Sequence, residues 1–344
     1  MKKSLIALAV LAASGAAMAQ SSVTMFGIVD AGVGRVSADN SVTGVYNSGN
    51  ATSRLGFRGV EDLGGGLKAG FWLEGAIQND TGTGAGGGAT GPGFEFKRRS
   101  TLSLMGNFGE VRLGREMTAG YEKPSSYDPF GQVGVANFLG FGIAGQPFRI
   151  GNGVSYRTPG NLGGFFGTVH YAFGETPSNA AYDKAGNYLG LAGGYENGPL
   201  SVTLAADKLR GATAPQDVTT YSIAGSYDLG VVKPIFIYHQ EKNNAAVQTK
   251  YATYLIGLTA PVGPGTVKAS FANLDLKNSG ADSRVLALGY VYDLSKRTAV
   301  YGTIAHMQNK GGATRVLASN GLTGATALPG ENVNGYQVGI RHSF

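Results

Sequence analysis

The chain has no cysteine and only one tryptophan, and charged residues are sparse. Without thiols there is no disulfide framework and no cysteine-based metal or redox site. After Ala19 no run approaches the ~18 apolar residues that a membrane-spanning helix requires. The four histidines, His170, His239, His306 and His342, stand far apart with no short ligand spacing, so no metal site is suggested. There is no G-x-S-x-G elbow, and nothing pairs a nucleophile with a base, so no enzyme and no cofactor are expected. "GTGAGG" at 82–87 has dinucleotide-binding spacing, but the strand-like "FEFKRRSTLSL" follows where a phosphate-binding helix would be needed. It reads as part of an external loop.

What is present begins with an export signal. Met1-Lys2-Lys3 is a short basic start, Leu5 to Ala13 is apolar, and Ala17-Met18-Ala19 is a small-residue cleavage site. Residues 1–19 are expected to be a signal peptide and residues 20–344 the mature domain. Losing Lys2 and Lys3 lowers the formal charge from +6 to about +4. Such mild basicity fits attraction of anions and does not by itself imply nucleic acid. Against the single tryptophan stand 57 glycines, 17 tyrosines and 16 phenylalanines, a composition that suits hairpin-rich β structure.

Alternation recurs along the chain. In "LKAGFWLEG", Leu67, Ala69, Phe71 and Leu73 share one face, with Lys68, Gly70, Trp72 and Glu74 on the other. "RVLALGYVYDL" and "GFFGTVHYAF" alternate in the same way, and a helical period fits none of them. Seven connectors, such as "EDLGGG", "GNFG" and "PVGPG", are short and rich in Gly, Pro, Asn and Asp, which is turn chemistry. Eight others are more variable and mostly longer, near 36–51, 79–95, 116–148, 175–187, 210–217, 242–249, 277–283 and 310–333. Together they join 16 strands. Tight turns alternating with long loops indicate an all-β, 16-stranded antiparallel transmembrane barrel of the outer membrane, with short periplasmic turns and long external loops. The closing "NGYQVGIRHSF" then pairs with the first strand, and Phe344 is its periplasmic aromatic anchor.

On "SSVTMFGIVDAGV" (21–33), "SRLGFRGVEDLGGGLKAGFWLE" (53–74), "GNFGEVRLGRE" (106–116), "VYDLSKRTAVYG" (291–302) and "VGIRHSF" (338–344), the chain resembles the Gram-negative general porins of the β-proteobacterial type. The resemblance implies a homotrimer passing small hydrophilic solutes by diffusion. It also implies that the C-terminal Phe344 is read by the outer-membrane insertion machinery. In similar porins the third external loop folds into the lumen. Here that is the connector 116–148, longer than the ~12–15 residues beyond which loops are usually functional or disordered.

Opposite such a loop, fixed charge is expected on the wall. If Leu55 and Phe57 face lipid, Arg54 and Arg58 point inward, since a lipid-facing arginine near the midplane costs a few kcal/mol. Pairing Val60 with Lys68 would place Arg54 opposite Glu74, both in the lumen. Arg98, Arg99, Arg149 and Arg157 are the other candidates. The resemblance puts Arg54, Arg98 and Arg149 on a basic ladder, with Glu74 and Asp128 as facing acids. Arg99 stands where similar porins more usually carry a neutral polar residue. Simple alternation from Leu102 and Leu104 points Arg99 inward, so Arg98 needs a bulge or bend.

The resulting reading is a passive outer-membrane channel with a modest anion preference and no turnover. Its partners would be small anions and hydrophilic solutes, outer-membrane lipid and lipopolysaccharide, and two further copies of itself, with no nucleic acid. A substrate-specific porin on the same barrel is the alternative, and a surface adhesin displaying eight loops comes third.

Overall fold

The computed structural model describes residues 22–344 except 85, 89, 90, 214, 215, 246 and 318–320; the expected signal peptide and its cleavage site lie outside the described residues. Alternation in the sequence becomes alternation across a wall. Leu286 and Leu288 are 61% and 50% exposed, while Val285 and Ala287 between them are 3% and 2% exposed. Rows of bare leucine suit an outer face in contact with lipid.

The strands follow the chain in order: β1 (Ser22–Ser37), β2 in two pieces (Ser41–Asn47 and Arg54–Gly64), β3 (Leu67–Ala76), β4 (Arg99–Gly106) and β5 (Gly109–Met117). A helix, α1 (Ala119–Ser125), opens the third long loop. Then come β6 (Arg149–Arg157), β7 (Phe165–Ala172), β8 (Tyr188–Asn197), β9 (Leu200–Leu209), β10 (Val218–Tyr227) and β11 (Lys233–Asn243). The last five are β12 (Thr249–Val262), β13 (Gly265–Leu276), β14 (Ser283–Asp293), β15 (Thr298–Asn309) and β16 (Val333–Ser343). Each pairs antiparallel with its neighbours, and β16 pairs with β1 from Ile28↔Ser343 to Ser37↔Asn334, which closes a barrel of 16 staves.

The seam is completed by the last residue. Phe344 and Gly27 exchange two backbone hydrogen bonds, each 3.1 Å long. A Cβ on Gly27 would stand 2.4 Å from the Phe344 ring and 2.8 Å from the Arg54 carbonyl oxygen. The glycine is therefore what lets the terminal ring lie against the first strand.

Two details differ from the sequence reading. The connector expected at 36–51 is short: the chain turns at 38–40 and Ser41–Asn47 runs back along β1. The interruption comes lower, at 48–53, where Asp30 accepts from the amides of Gly49, Asn50 and Ala51 and from the Tyr301 hydroxyl. Second, Val60 pairs with Gly70, and Lys68 pairs with Asp62. Gly64, Gly65 and Gly66 take φ of 83°, 61° and 82°, a left-handed run that glycine adopts without strain. The turn tightens around them, a bulge forms between Asp62 and Gly64, and the pairing slides by two. An even slip preserves the faces, so Arg54 and Glu74 remain inward but sit diagonally.

The third long loop, 118–148, lies inside the barrel. Tyr127, Phe130, Val135, Phe138 and Phe141 are each less than 7% exposed. They pack on one another and on inward wall residues such as Ile237, Leu255 and Leu274. Burial of each large apolar side chain contributes roughly 1.5–3 kcal/mol, enough collectively to hold an irregular segment across an otherwise wet lumen.

Candidate pore constriction

Charge gathers at one level of the lumen. Glu74 on β3 accepts from Arg98 Nε at 2.5 Å and from Trp72 Nε1 at 3.1 Å, and Arg54 Nε approaches to 4.0 Å. Arg98 precedes β4 and is held by its backbone: its N–H donates to the Glu74 carbonyl at 3.0 Å, and its own carbonyl accepts from Arg149 Nε at 2.9 Å. Arg54 and Arg98 thus face one carboxylate, and Arg149 is bonded to the carbonyl of Arg98 beside them, which leaves a local excess of positive charge.

Arg99 also turns inward, as alternation requires, but toward a different neighbourhood. Its Nε donates to Thr101 at 2.9 Å and its guanidinium lies 4.6 Å from the centre of the Trp72 ring. Arg58 lies 5.0 Å from the same ring. Below it, Arg112 is bonded to Glu110 at 2.7 Å and to Glu116 at 2.9 Å. Arg157 reaches Glu116 at 3.2 Å and Glu122 of α1 at 2.5 Å. Arg112 and Arg157 are thus paired with Glu110, Glu116 and Glu122, whereas Arg58 and Arg99 rest on the Trp72 ring with no ion pair among the described residues. Positive charge is in excess here as well as at the level of Glu74.

Asp128 does not face the arginines. Its carboxylate accepts from the amides of Phe130 (3.0 Å), Gln132 (2.9 Å) and Phe138 (3.1 Å) and from the Gln132 side chain (2.8 Å). It is an internal clasp of the loop, 5% exposed. Burial pushes its carboxyl up from the ordinary carboxylate range, with the amide donors acting against that. The expected facing acid is replaced by Glu122, whose role follows from the α1 turn that aims it at Arg157.

The loop is fastened to the far wall by a second acid that alternation alone did not mark. Glu241, fully buried on the inward face of β11, accepts from the amides of Gly142, Ala144 (2.7 Å) and Gln146 (3.4 Å). His239 holds Glu241 from the side at 3.0 Å and bonds Ser222 through Nδ1 at 2.8 Å. Gln337 Oε1 accepts from the Val135 amide at 3.0 Å, and Tyr127 pairs with Ser201 at 2.6 Å.

A closed barrel, a loop folded across its lumen and a charged wall beside that loop are the parts of a diffusion pore, and the model of the Gram-negative porin family matches residues 5–312. The chain belongs to the Gram-negative porin family. Over full length it is 46% identical to outer membrane porin protein 32 of Delftia acidovorans, across 359 residues. It is 33% identical to an outer membrane porin protein of Bordetella pertussis, covering 90% of this chain and 95% of that one. An anion-selective porin from Comamonas acidovorans superposes with a TM-score of 0.86 at 44% identity, over 94% of this chain and 100% of that one. The porin is thus an outer-membrane protein that forms a passive diffusion channel.

Proposed function

We propose that this porin favours small anions among the hydrophilic solutes it passes, and that it works as a homotrimer without chemical turnover. The observation that carries the preference is the grouping of three arginines with one acid: Arg54 and Arg98 face the Glu74 carboxylate, and Arg149 is bonded to the Arg98 carbonyl. Low-dielectric walls focus that excess charge into the water-filled path, which concentrates anions and holds cations off. The anion-selective porin of Comamonas acidovorans, at 44% identity, supports the same sign. Planar-bilayer recordings in a salt gradient test it: stepwise conductance with an anion-favouring reversal potential is expected. A saturable current blocked by one solute would instead mark a substrate-specific porin.

Phe344 serves assembly in this reading, as the residue that the insertion machinery recognises. The residue is 42% exposed and shares the outward face of the seam with Val338 and Ile340, on the other side of the wall from the Glu74 carboxylate. Deleting Phe344 is expected to reduce folded, heat-modifiable protein in membranes several-fold. Conductance per surviving channel should stay at its wild-type value. Equal yields of the two proteins would remove the assembly role.

A further inference from the structure

We propose that Trp72 is a positioning residue for the selectivity of this channel: it holds Arg58 and Arg99 as uncompensated cations in the lumen, forming a second selecting stage beside the Glu74 level. The proposal rests on the anion preference stated above and goes beyond it by assigning that stage and the residue that builds it. Trp72 lies two residues from Glu74 on the inward face of β3, on the side of the turn at 64–66. Its ring meets an arginine from each neighbouring strand. Arg58 of β2 lies 5.0 Å from the ring centre, and Arg99 of β4 lies 4.6 Å from it.

The kind of partner decides what such an arginine does. A guanidinium held by a carboxylate is oriented but cancelled, whereas one held on an aromatic face is oriented and keeps its charge. Glu110 and Glu116, the inward acids of β5, are occupied by Arg112, which bonds the first at 2.7 and 2.8 Å and the second at 2.9 Å. The indole N–H works to the same end. It donates to Glu74 Oε2 at 3.1 Å, so a neutral donor takes one carboxylate oxygen. Arg98 Nε at 2.5 Å and Arg54 Nε at 4.0 Å are left to share Oε1.

The ring is itself wedged in place. Phe26 meets it edge-on with ring centres 5.0 Å apart, and lies over Gly56, where a Cβ would stand 2.4 Å from the Phe26 ring. Beside them is a recess of about 370 Å³ lined by Thr24, Arg58, Trp72, Arg99, Ser103 and Met105, with room for an anion that keeps several of its waters. Arg58 is four residues from Arg54, a span of ~13 Å along a strand. That exceeds the ~10 Å screening length at about 0.1 M salt. An anion leaving the Glu74 level therefore meets a separate cationic stage.

Trp72 is the one tryptophan of the chain, so tryptophan fluorescence reports this stage alone. Quenching by iodide and by caesium is measured on purified wild-type channel and on Arg58→Gln/Arg99→Gln, each normalised to a free tryptophan analogue. At about 0.1 M salt the wild type should show iodide quenching at least about threefold steeper than caesium quenching. The double variant should show at most about half that ratio. Equal normalised quenching in the wild type, or an unchanged ratio in the variant, would overturn the second stage. These measurements leave Trp72 in place, so they decide even where a Trp72 variant does not fold.

The positioning role is read from reversal potentials in a double-mutant cycle. Without the ring, the two guanidinium groups are free to fold onto Glu74, Glu110 or Glu116 and away from the path of the ion. Trp72→Leu should therefore lower the anion-to-cation permeability ratio about twofold, the Glu74 level remaining. In the Arg58→Gln/Arg99→Gln background it should change the ratio no further. Trp72→Phe keeps a ring face and should keep the wild-type ratio. The same proportional loss in both backgrounds would show that Trp72 only fills space. A Phe variant as poor as Leu would give the role to the N–H and not to the ring. Either result overturns the proposal. A wild-type channel with no anion preference refutes the proposed function itself, whereas an anion-selective wild type whose quenching ignores Arg58 and Arg99 refutes the second stage alone.

Discussion

Replacing Arg54 and Arg149 by Gln is expected to abolish most of the anion preference of the channel while leaving the barrel folded. In the wild type Arg54 and Arg98 face Glu74 and Arg149 is bonded to the Arg98 carbonyl, so three arginines share one acid and two positive charges are uncompensated. The double variant keeps only the Arg98–Glu74 pair at 2.5 Å, whose charges cancel. A unit charge ~4 Å from a passing ion is worth about 1 kcal/mol in bulk water and about 4 kcal/mol at an effective dielectric near 20. The lower figure suits a wet lumen, and removing two such charges then reduces the anion-to-cation permeability ratio by about tenfold or more. Reversal potentials at about 0.1 M salt, where the screening length is ~10 Å, should show the change in full; at about 1 M, with ~3 Å, it should nearly vanish. Substitutions on the lumen face leave the lipid face and the ladder intact. Wild-type selectivity of the double variant at low salt would place the filter elsewhere. Arg157→Gln is the comparison at another level: it leaves Glu122 without its ion pair and Glu116 with Arg112 alone, so an equal loss of anion preference there would show that the filter is not confined to the Glu74 cluster.

Arg98 and Arg99 mark where the sequence is legible and where it is not. Period-two patterning gives Leu102 and Leu104 to lipid and Thr101 and Ser103 to the lumen, and carries Arg99 inward with them. It has no power at Arg98, which stands just outside the strand and is aimed by a backbone bond to Glu74 rather than by the pleat. Turn chemistry located the hairpin at 61–66 but not its register, because that depended on three consecutive glycines accepting positive φ. The faces survived the slip only because it was even. Asp128 is expected against the arginines only from the resemblance, and alternation offers no check on it. Within an irregular loop no period says which way a side chain points, and a short acidic side chain with free amides two to ten residues away turns inward to cap them. Strand number, turn placement and seam, by contrast, follow from composition and alternation, which act locally and repeat along the chain.

Glu241 was hidden for the opposite reason: in sequence it is one more inward polar residue of β11, and its partners are amides about a hundred positions away. Glu241→Ala is expected to release the second half of the lumen loop. The amides of Gly142 and Ala144 would lose their acceptor in a site from which bulk water is excluded, and His239 would lose its partner. Leaving a buried donor unsatisfied costs about 1–3 kcal/mol, and more when the lost acceptor is charged, so the attachment weakens by roughly 3–5 kcal/mol. Burial of Phe138 and Phe141 against the wall resists that release. The loop should therefore exchange between seated and unseated positions rather than leave outright. In bilayers this would appear as a higher mean conductance with added current noise, while the barrel itself stays resistant to detergent. Glu241→Gln retains a carbonyl that can still serve one amide but turns an N–H group toward the others, so its noise should fall between the two. Asn243→Ala removes from the loop's attachment only the 2.9 Å bond to the Ala144 carbonyl, along with a local bond from the Ala245 amide, and should change conductance least of the three. Wild-type conductance and noise in Glu241→Ala would show that apolar packing alone seats the loop, and that the acid is not its latch.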